Sequence, residues 1–125
     1  MLPFTVEFKP GIPLSEQVVY AVKKAAISGF LKPGDRFPSV RVLSQELRIN
    51  PNTAHKVTAI LVAEGLLEVH PGIGTVVGKV PRGTALECEK ILEGEMERLV
   101  VEAKNLRLSL ADLQNALNKH WKKLS

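Results

Sequence analysis

"RINPNTAHK" (Arg48–Lys56) sets an Asn-Pro pair where an apolar pattern restarts, and after Ile49 it withholds any large apolar residue until Val57. Asn50 reads as a helix N-cap, because its side-chain oxygen can accept from an unpaired amide of the first turn. Pro51 suits the first helical position, where its missing N–H costs nothing and its φ is already helical. Ala54, Val57, Ile60 and Leu61 then share one side of the helix, and Gly65 ends it. Asn52, Thr53, His55 and Lys56 lie off that stripe, on the first turn and a half. The result is a helix with an inward apolar body and a polar start.

Reading outward, Ser39 precedes a second stripe, Val40, Leu43 and Leu47, and Pro38 bars backward extension, so a short helix is expected before the quoted stretch. An earlier helix begins near Leu14 or Ser15 and carries Val18, Val19, Val22, Ala26 and Ile27. Gly29 stops it, and Lys32-Pro33-Gly34-Asp35 reads as a tight turn. Beyond Gly65 the period changes to two. Leu67-Glu68-Val69 and Thr75-Val76-Val77 predict a β-hairpin with His70-Pro71-Gly72-Ile73-Gly74 at its tip. Lys79 to Thr84 has the character of a linker. Leu86, Leu92, Met96, Leu99, Ala103 and Leu106 then keep helical spacing, and a last helix starts at Ser109, with Asp112 three residues on as in a capping box. It carries Leu110, Leu113, Leu117, Trp121 and Leu124. The expectation is a mainly α protein with one small β-hairpin, divided into residues 1–80 and 81–125.

The bulk composition sets the limits. The chain's 125 residues suit one small domain and an appendage, with 45% hydrophobic and 24% charged residues. No apolar run approaches the roughly 20 residues of a membrane helix, and the N-terminus lacks the pattern of a signal peptide, so a cytoplasmic protein with no membrane partner is expected. Cys88 is the sole cysteine; Glu87 and Glu89 beside it disfavour a reactive thiolate, and it reads as a small packing residue. Ten basic and six acidic residues precede Gly83, whereas seven of each follow from there, so the positive excess belongs to the first two-thirds. His55, His70 and His120 have no partner at metal-ligand spacing. Gly74 to Lys79 matches a phosphate loop only superficially, since Val80 stands where a Ser or Thr is required. No metal, no cofactor and no enzymatic activity are expected.

A short helix, a turn at Arg48-Ile49-Asn50 and a second helix outline a helix-turn-helix, whose second helix enters the major groove of DNA N-terminus first. The polar start of that helix then has a purpose: amide and hydroxyl groups for base edges and phosphates, and Lys56 for charge. Arg41, off the apolar stripe of the preceding helix, can reach a phosphate or a guanine edge. Gly72 and Gly74 would let the hairpin backbone approach DNA closely, although both also fit plain turn positions.

Residues 13–77 resemble the winged helix-turn-helix domain of the GntR superfamily of bacterial transcription regulators, most tellingly in "SGFLKPGDRFPSVRVLS", "NPNTAHK" and "EGLLEVHPGIGT". The short helical remainder is similar to the YtrA-type branch, in which two helices mediate dimerisation. The resemblance implies operator contacts from Arg41, Asn50, Asn52, Thr53, His55, Lys56 and Gly72. Three departures stand out. Arg48 occupies a turn position where the family usually has glycine, a strained choice if φ is positive there. His70, Pro71 and Ile73 replace the basic residues common in the wing, and His55 leaves the base preference open.

The two C-terminal stripes need burial that 43 residues cannot supply as an isolated hairpin. Packing on a second copy is the economical arrangement, with Leu92, Met96, Leu99, Leu113, Leu117 and Trp121 as candidate contacts. The expected function is thus a homodimeric repressor on a palindromic double-stranded operator, with room for an unidentified small-molecule effector. The rival is a winged-helix protein-interaction module without sequence-specific DNA binding.

Overall fold

The computed structural model describes residues 2–124. Its elements run α1 (Leu14–Ile27), α2 (Val40–Leu47), α3 (Pro51–Ala63), β1 (Leu67–His70), β2 (Gly74–Val77), α4 (Ala85–Glu89), a π-helical segment (Lys90–Glu95), α5 (Met96–Asn105) and α6 (Leu110–Lys123). The chain forms two units, with the boundary between Val80 and Pro81.

In the first unit, α3 packs against α1, α2 and β1. Val18, Val22, Leu43, Ala54, Val57 and Leu61 are fully buried between these elements, and Leu67 and Val77 close the core from the hairpin. Apolar burial at about 25 cal/mol per Å² makes these contacts the main stabilising term. The N-terminal arm adds to it. Phe4 stacks on Phe37 with ring centroids 6.0 Å apart. Gln17 clasps the arm further along, accepting from Lys9 N–H at 2.8 Å and donating to the carbonyls of Lys9 and Ile12. One expectation for α1 fails: Ile27 is exposed. The buried stripe is Val18, Val22 and Ala25, and Ile27 lies nine residues past Val18, half a turn away at about 100° per residue.

β1 and β2 pair antiparallel, Leu67 opposite Val77 and His70 opposite Gly74. Their tip is a Pro-Gly turn: Ile73 N–H donates to His70 C=O at 3.0 Å, and Gly72 takes φ 80°. That sign of φ is open to glycine without a Cβ clash. A neighbour absent from the sequence reading joins the other edge of β2. Arg36 bridges antiparallel to Val76, with Phe37 N–H donating to Thr75 C=O at 2.9 Å and Val77 N–H to Asp35 C=O at 2.7 Å.

The turn between α2 and α3 is held from several directions. Ser39 caps α2, its hydroxyl accepting from Val42 N–H at 3.2 Å. Arg48 adopts the left-handed conformation, φ 54° and ψ 46°, so the strain anticipated for a non-glycine residue here is present; its typical cost is roughly 1–2 kcal/mol. Ile49 follows as a buried anchor, donating to Ser44 C=O at 3.1 Å, while the buried Ser44 hydroxyl donates to Ile49 C=O at 2.8 Å.

The second unit begins with a capping box absent from the sequence reading: Thr84 Oγ1 accepts from Glu87 N–H at 3.1 Å, and Glu87 returns a bond to Thr84 N–H at 2.9 Å. Ser109 and Asp112 form the expected one, at 3.0 and 2.8 Å. Backbone donation from Thr84 and Ser109, followed by their hydroxyl bonds, holds the carboxyls of Glu87 and Asp112 below the usual range. Both groups therefore favour the folded caps above the ordinary carboxylate pKa, and that contribution is lost as pH falls through the lowered values. Cys88 is exposed, contrary to its reading as a packing residue, because no residue of α4 is buried.

Ser44→Ala is expected to destabilise the protein by about 1–3 kcal/mol, since it strips a buried carbonyl of its donor. A urea melt with unchanged slope and a lower midpoint is the expected record; an unshifted midpoint would mean that the hydroxyl bond does not hold the turn.

Candidate nucleic-acid interface

The N-terminus of α3 is built from its cap outward. Asn50 Oδ1 accepts from Asn52 N–H at 2.8 Å, and Pro51 occupies the first turn. The amide oxygen of Asn50 is thus engaged by the helix, and its NH₂ group is left as the donor an outside acceptor would meet. Asn52, His55 and Lys56 are exposed and Thr53 is half-buried, while Ala54 and Val57 beneath them are fully buried. Asn52, His55, Lys56 and Ala59 follow i, i+3, i+4 and i+7 spacing, so the exposed positions form one continuous helix face. Packing fixes the orientation of that face, because turning it inward would expose Val57 and Leu61.

Arg41 is the second residue of α2 and is exposed. Among the described residues it forms no ion pair. The unit's other basic side chains are likewise little compensated: Lys23 pairs with Glu64 at 3.0 Å, but Lys56 and Arg36 have no such partner. Arg36 was not recognised in the sequence, because nothing local announces its pairing with Val76, 40 positions further on. It brings a permanent cation to the sheet whose tip lacks basic residues.

The wing presents different chemistry. Gly72 and Gly74 have open space where a Cβ would stand, and their φ values of 80° and 107° meet a backbone requirement at both positions. His70 Nε2 lies 2.9 Å from Glu68 Oε2. A carboxylate thus stands beside the imidazole near the tip, while Val69 and Ile73 leave apolar surface exposed. The candidate dimer residues occupy the second unit. Leu92, Leu99, Leu117 and Trp121 are exposed, Met96 sits at the edge of exposure and Leu113 is half-buried. Among the described residues no group of three or more His, Cys, Asp and Glu is placed to hold a metal ion, and no helix is long and apolar enough to cross a membrane.

Asn50→Asp separates the two duties of the cap. The carboxylate can still cap α3, so the unfolding free energy from a urea melt should stay within about 0.5 kcal/mol of wild type. The lost amide donor and added negative charge should weaken DNA binding several-fold, as followed by fluorescence anisotropy; unchanged affinity would remove Asn50 as a contact.

Comparison with known proteins agrees with this geometry. Residues 14–77 match the family described as bacterial regulatory proteins, gntR family. The chain is 30% identical over 99 residues to the HTH-type transcriptional repressor YtrA of Bacillus subtilis, spanning 78% of this chain and 76% of that protein. Among solved structures, a transcriptional antiterminator from Listeria monocytogenes shares the fold with a TM-score of 0.83 at 19% identity, over 97% of this chain and 91% of that one. YtrA from Sulfolobus acidocaldarius, a GntR-family transcription factor, shares it with a TM-score of 0.56 at 24% identity, covering 95% and 97% of the two chains. The chain therefore belongs to the GntR family of bacterial transcription regulators and is of the YtrA type.

Proposed function

We propose that this regulator is a cytoplasmic repressor that binds a palindromic double-stranded operator as a homodimer. The observation that carries the reading is the start of α3, where a capped, outward polar face is fixed by a fully buried inward one. In this reading Asn52, Thr53 and His55 meet base edges, Lys56 and the NH₂ of Asn50 meet phosphate, Arg41 reaches a guanine or a phosphate, and Gly72 lets the wing backbone come close. The repressor assignment is supported by the Bacillus subtilis relative, which is itself a transcriptional repressor.

Dimerisation through the second unit is supported by its exposed apolar surface. Ala103 is its only buried hydrophobic residue among those described, while Leu92, Leu99, Leu117 and Trp121 face solvent. Covering such surface with a second copy removes it from water at no further cost in sequence. Two recognition helices would then meet half-sites one helical turn or a multiple of it apart.

Anisotropy titrations of the full chain against the DNA upstream of its own gene, and against a shuffled fragment, test the reading. Tight binding to the first alone, falling steeply with salt, is expected. Arg41→Ala should weaken that binding by about 1–3 kcal/mol if the arginine forks onto a guanine. Sedimentation at micromolar concentration should give a dimer. Equal, weak binding to both fragments would favour the protein-interaction module, and a monomer would remove the second unit as the joining surface.

A further inference from the structure

We propose that Arg48 is a DNA phosphate contact, held in the turn of the helix-turn-helix at a backbone position suited to glycine. This rests on the DNA-binding reading above.

Four helices of the chain end in one geometry: a left-handed residue, with the following amide bonded five residues back. At the end of α1 the left-handed residue is Gly29, and Phe30 N–H donates to Ala25 C=O at 2.9 Å. At the end of α3 it is Gly65, and Leu66 N–H donates to Leu61 C=O at 3.0 Å. At the ends of α2 and α5 the same position holds Arg48 and Arg107, at φ 54° and 62°. The glycines show what the backbone favours. At Arg48 a strained L-residue stands in its place.

Among the described residues, no side-chain hydrogen bond or ion pair of Arg48 offsets that strain. The Arg48 side chain is exposed. Its cation does lie at the C-terminal end of α2, whose last turn holds no other basic residue, and a favourable helix-end interaction is therefore one competing explanation. The placement argues for more. Ile49 is buried immediately after it, Ser44 grips Ile49 from both sides, and Asn50 caps α3. The guanidinium thus projects from a backbone pinned directly ahead of the recognition helix, on the rim where a helix entering the major groove brings phosphates near. A permanently charged, five-donor group on a rigid mount is suited to a phosphate and not to reading sequence.

Three variants of the full chain test this. Arg48→Gly removes both strain and charge, Arg48→Gln removes charge alone, and Arg107→Gly relieves the same strain in the other unit. Each is followed by urea melts and by anisotropy across a salt series on the operator and on the shuffled fragment. The expectation is that Arg48→Gly melts at higher urea than wild type yet binds both DNAs more weakly by a similar factor, with the slope of log K against log salt shallower by about 0.9. Arg48→Gln should lose the same slope without gaining stability, and Arg107→Gly should gain stability with its slope unchanged. Wild-type slope and affinity in both Arg48 variants would overturn the proposal and leave the helix-end interaction as the explanation. Weakening confined to the operator would overturn it in favour of a base contact. A wild-type chain that binds neither DNA would bring down the parent reading as well.

Discussion

The paired hydrogen bonds between Ser44 and Ile49 are the constraint on which the rest of the first unit depends. One carries Ile49 N–H to Ser44 C=O, the other Ser44 Oγ–H to Ile49 C=O, and together they close the turn around a buried isoleucine. A turn at this place must end one helix and start another within three residues, Arg48 to Asn50. Each backbone group left over by the two helix ends needs a partner. Ser44 and Asn50 supply two of them from side chains only a few residues away. α3 therefore begins at a defined residue and in a defined direction, and its exposed face follows from the burial of Val57 and Leu61 alone.

Local chemistry was readable because it is local. Asn50-Pro51, Ser39, the Ser109-Asp112 box and the glycine stops each act over four residues or fewer, and the structure contains them. The Thr84-Glu87 box carried the same signal, obscured by a Pro- and Gly-containing stretch that reads as linker. What could not be read depends on distance in the chain. The bridge of Arg36 to Val76 and the clasp of Gln17 on the arm join segments with no shared periodicity. The π-helical segment at Lys90–Glu95 has no sequence signal beyond Gly94, which stands in open space. Ile27 faces outward for a narrower reason: it stands half a turn from Val18 around α1, where Ala25 continues the buried stripe. The polar face of α3 was readable as a face, but the engagement of the Asn50 oxygen by its own helix emerges only from atomic positions.

The two units manage apolar surface in opposite ways. In the first, three helices, a hairpin and an arm enclose a core in which six side chains are fully buried. In the second, strong start signals at Thr84 and Ser109 and a left-handed stop at Arg107 define the helices, yet these devices set only where helices begin and end. Caps contribute about 1 kcal/mol each, whereas helices of this length owe most of their stability in proteins to a packed apolar face. Leu92, Leu99 and Leu117 supply such a face without covering it. If a second copy covers this face, as proposed, folding of the unit and association are linked, and stability depends on protein concentration.

The wing shows how composition and backbone divide a task. Its Pro-Gly tip restricts two residues at little steric cost, so the loop is preorganised for close approach even though it offers no lysine or arginine. At the tip, His70 Nε2 stands 2.9 Å from Glu68 Oε2. Permanent cations stand at Arg36, bridged to Val76 on the other edge of β2, and around the start of α3 at Arg41, Arg48 and Lys56. In the proposed DNA interface, electrostatic attraction would come from the scaffold around α3, and the hairpin tip would contribute shape.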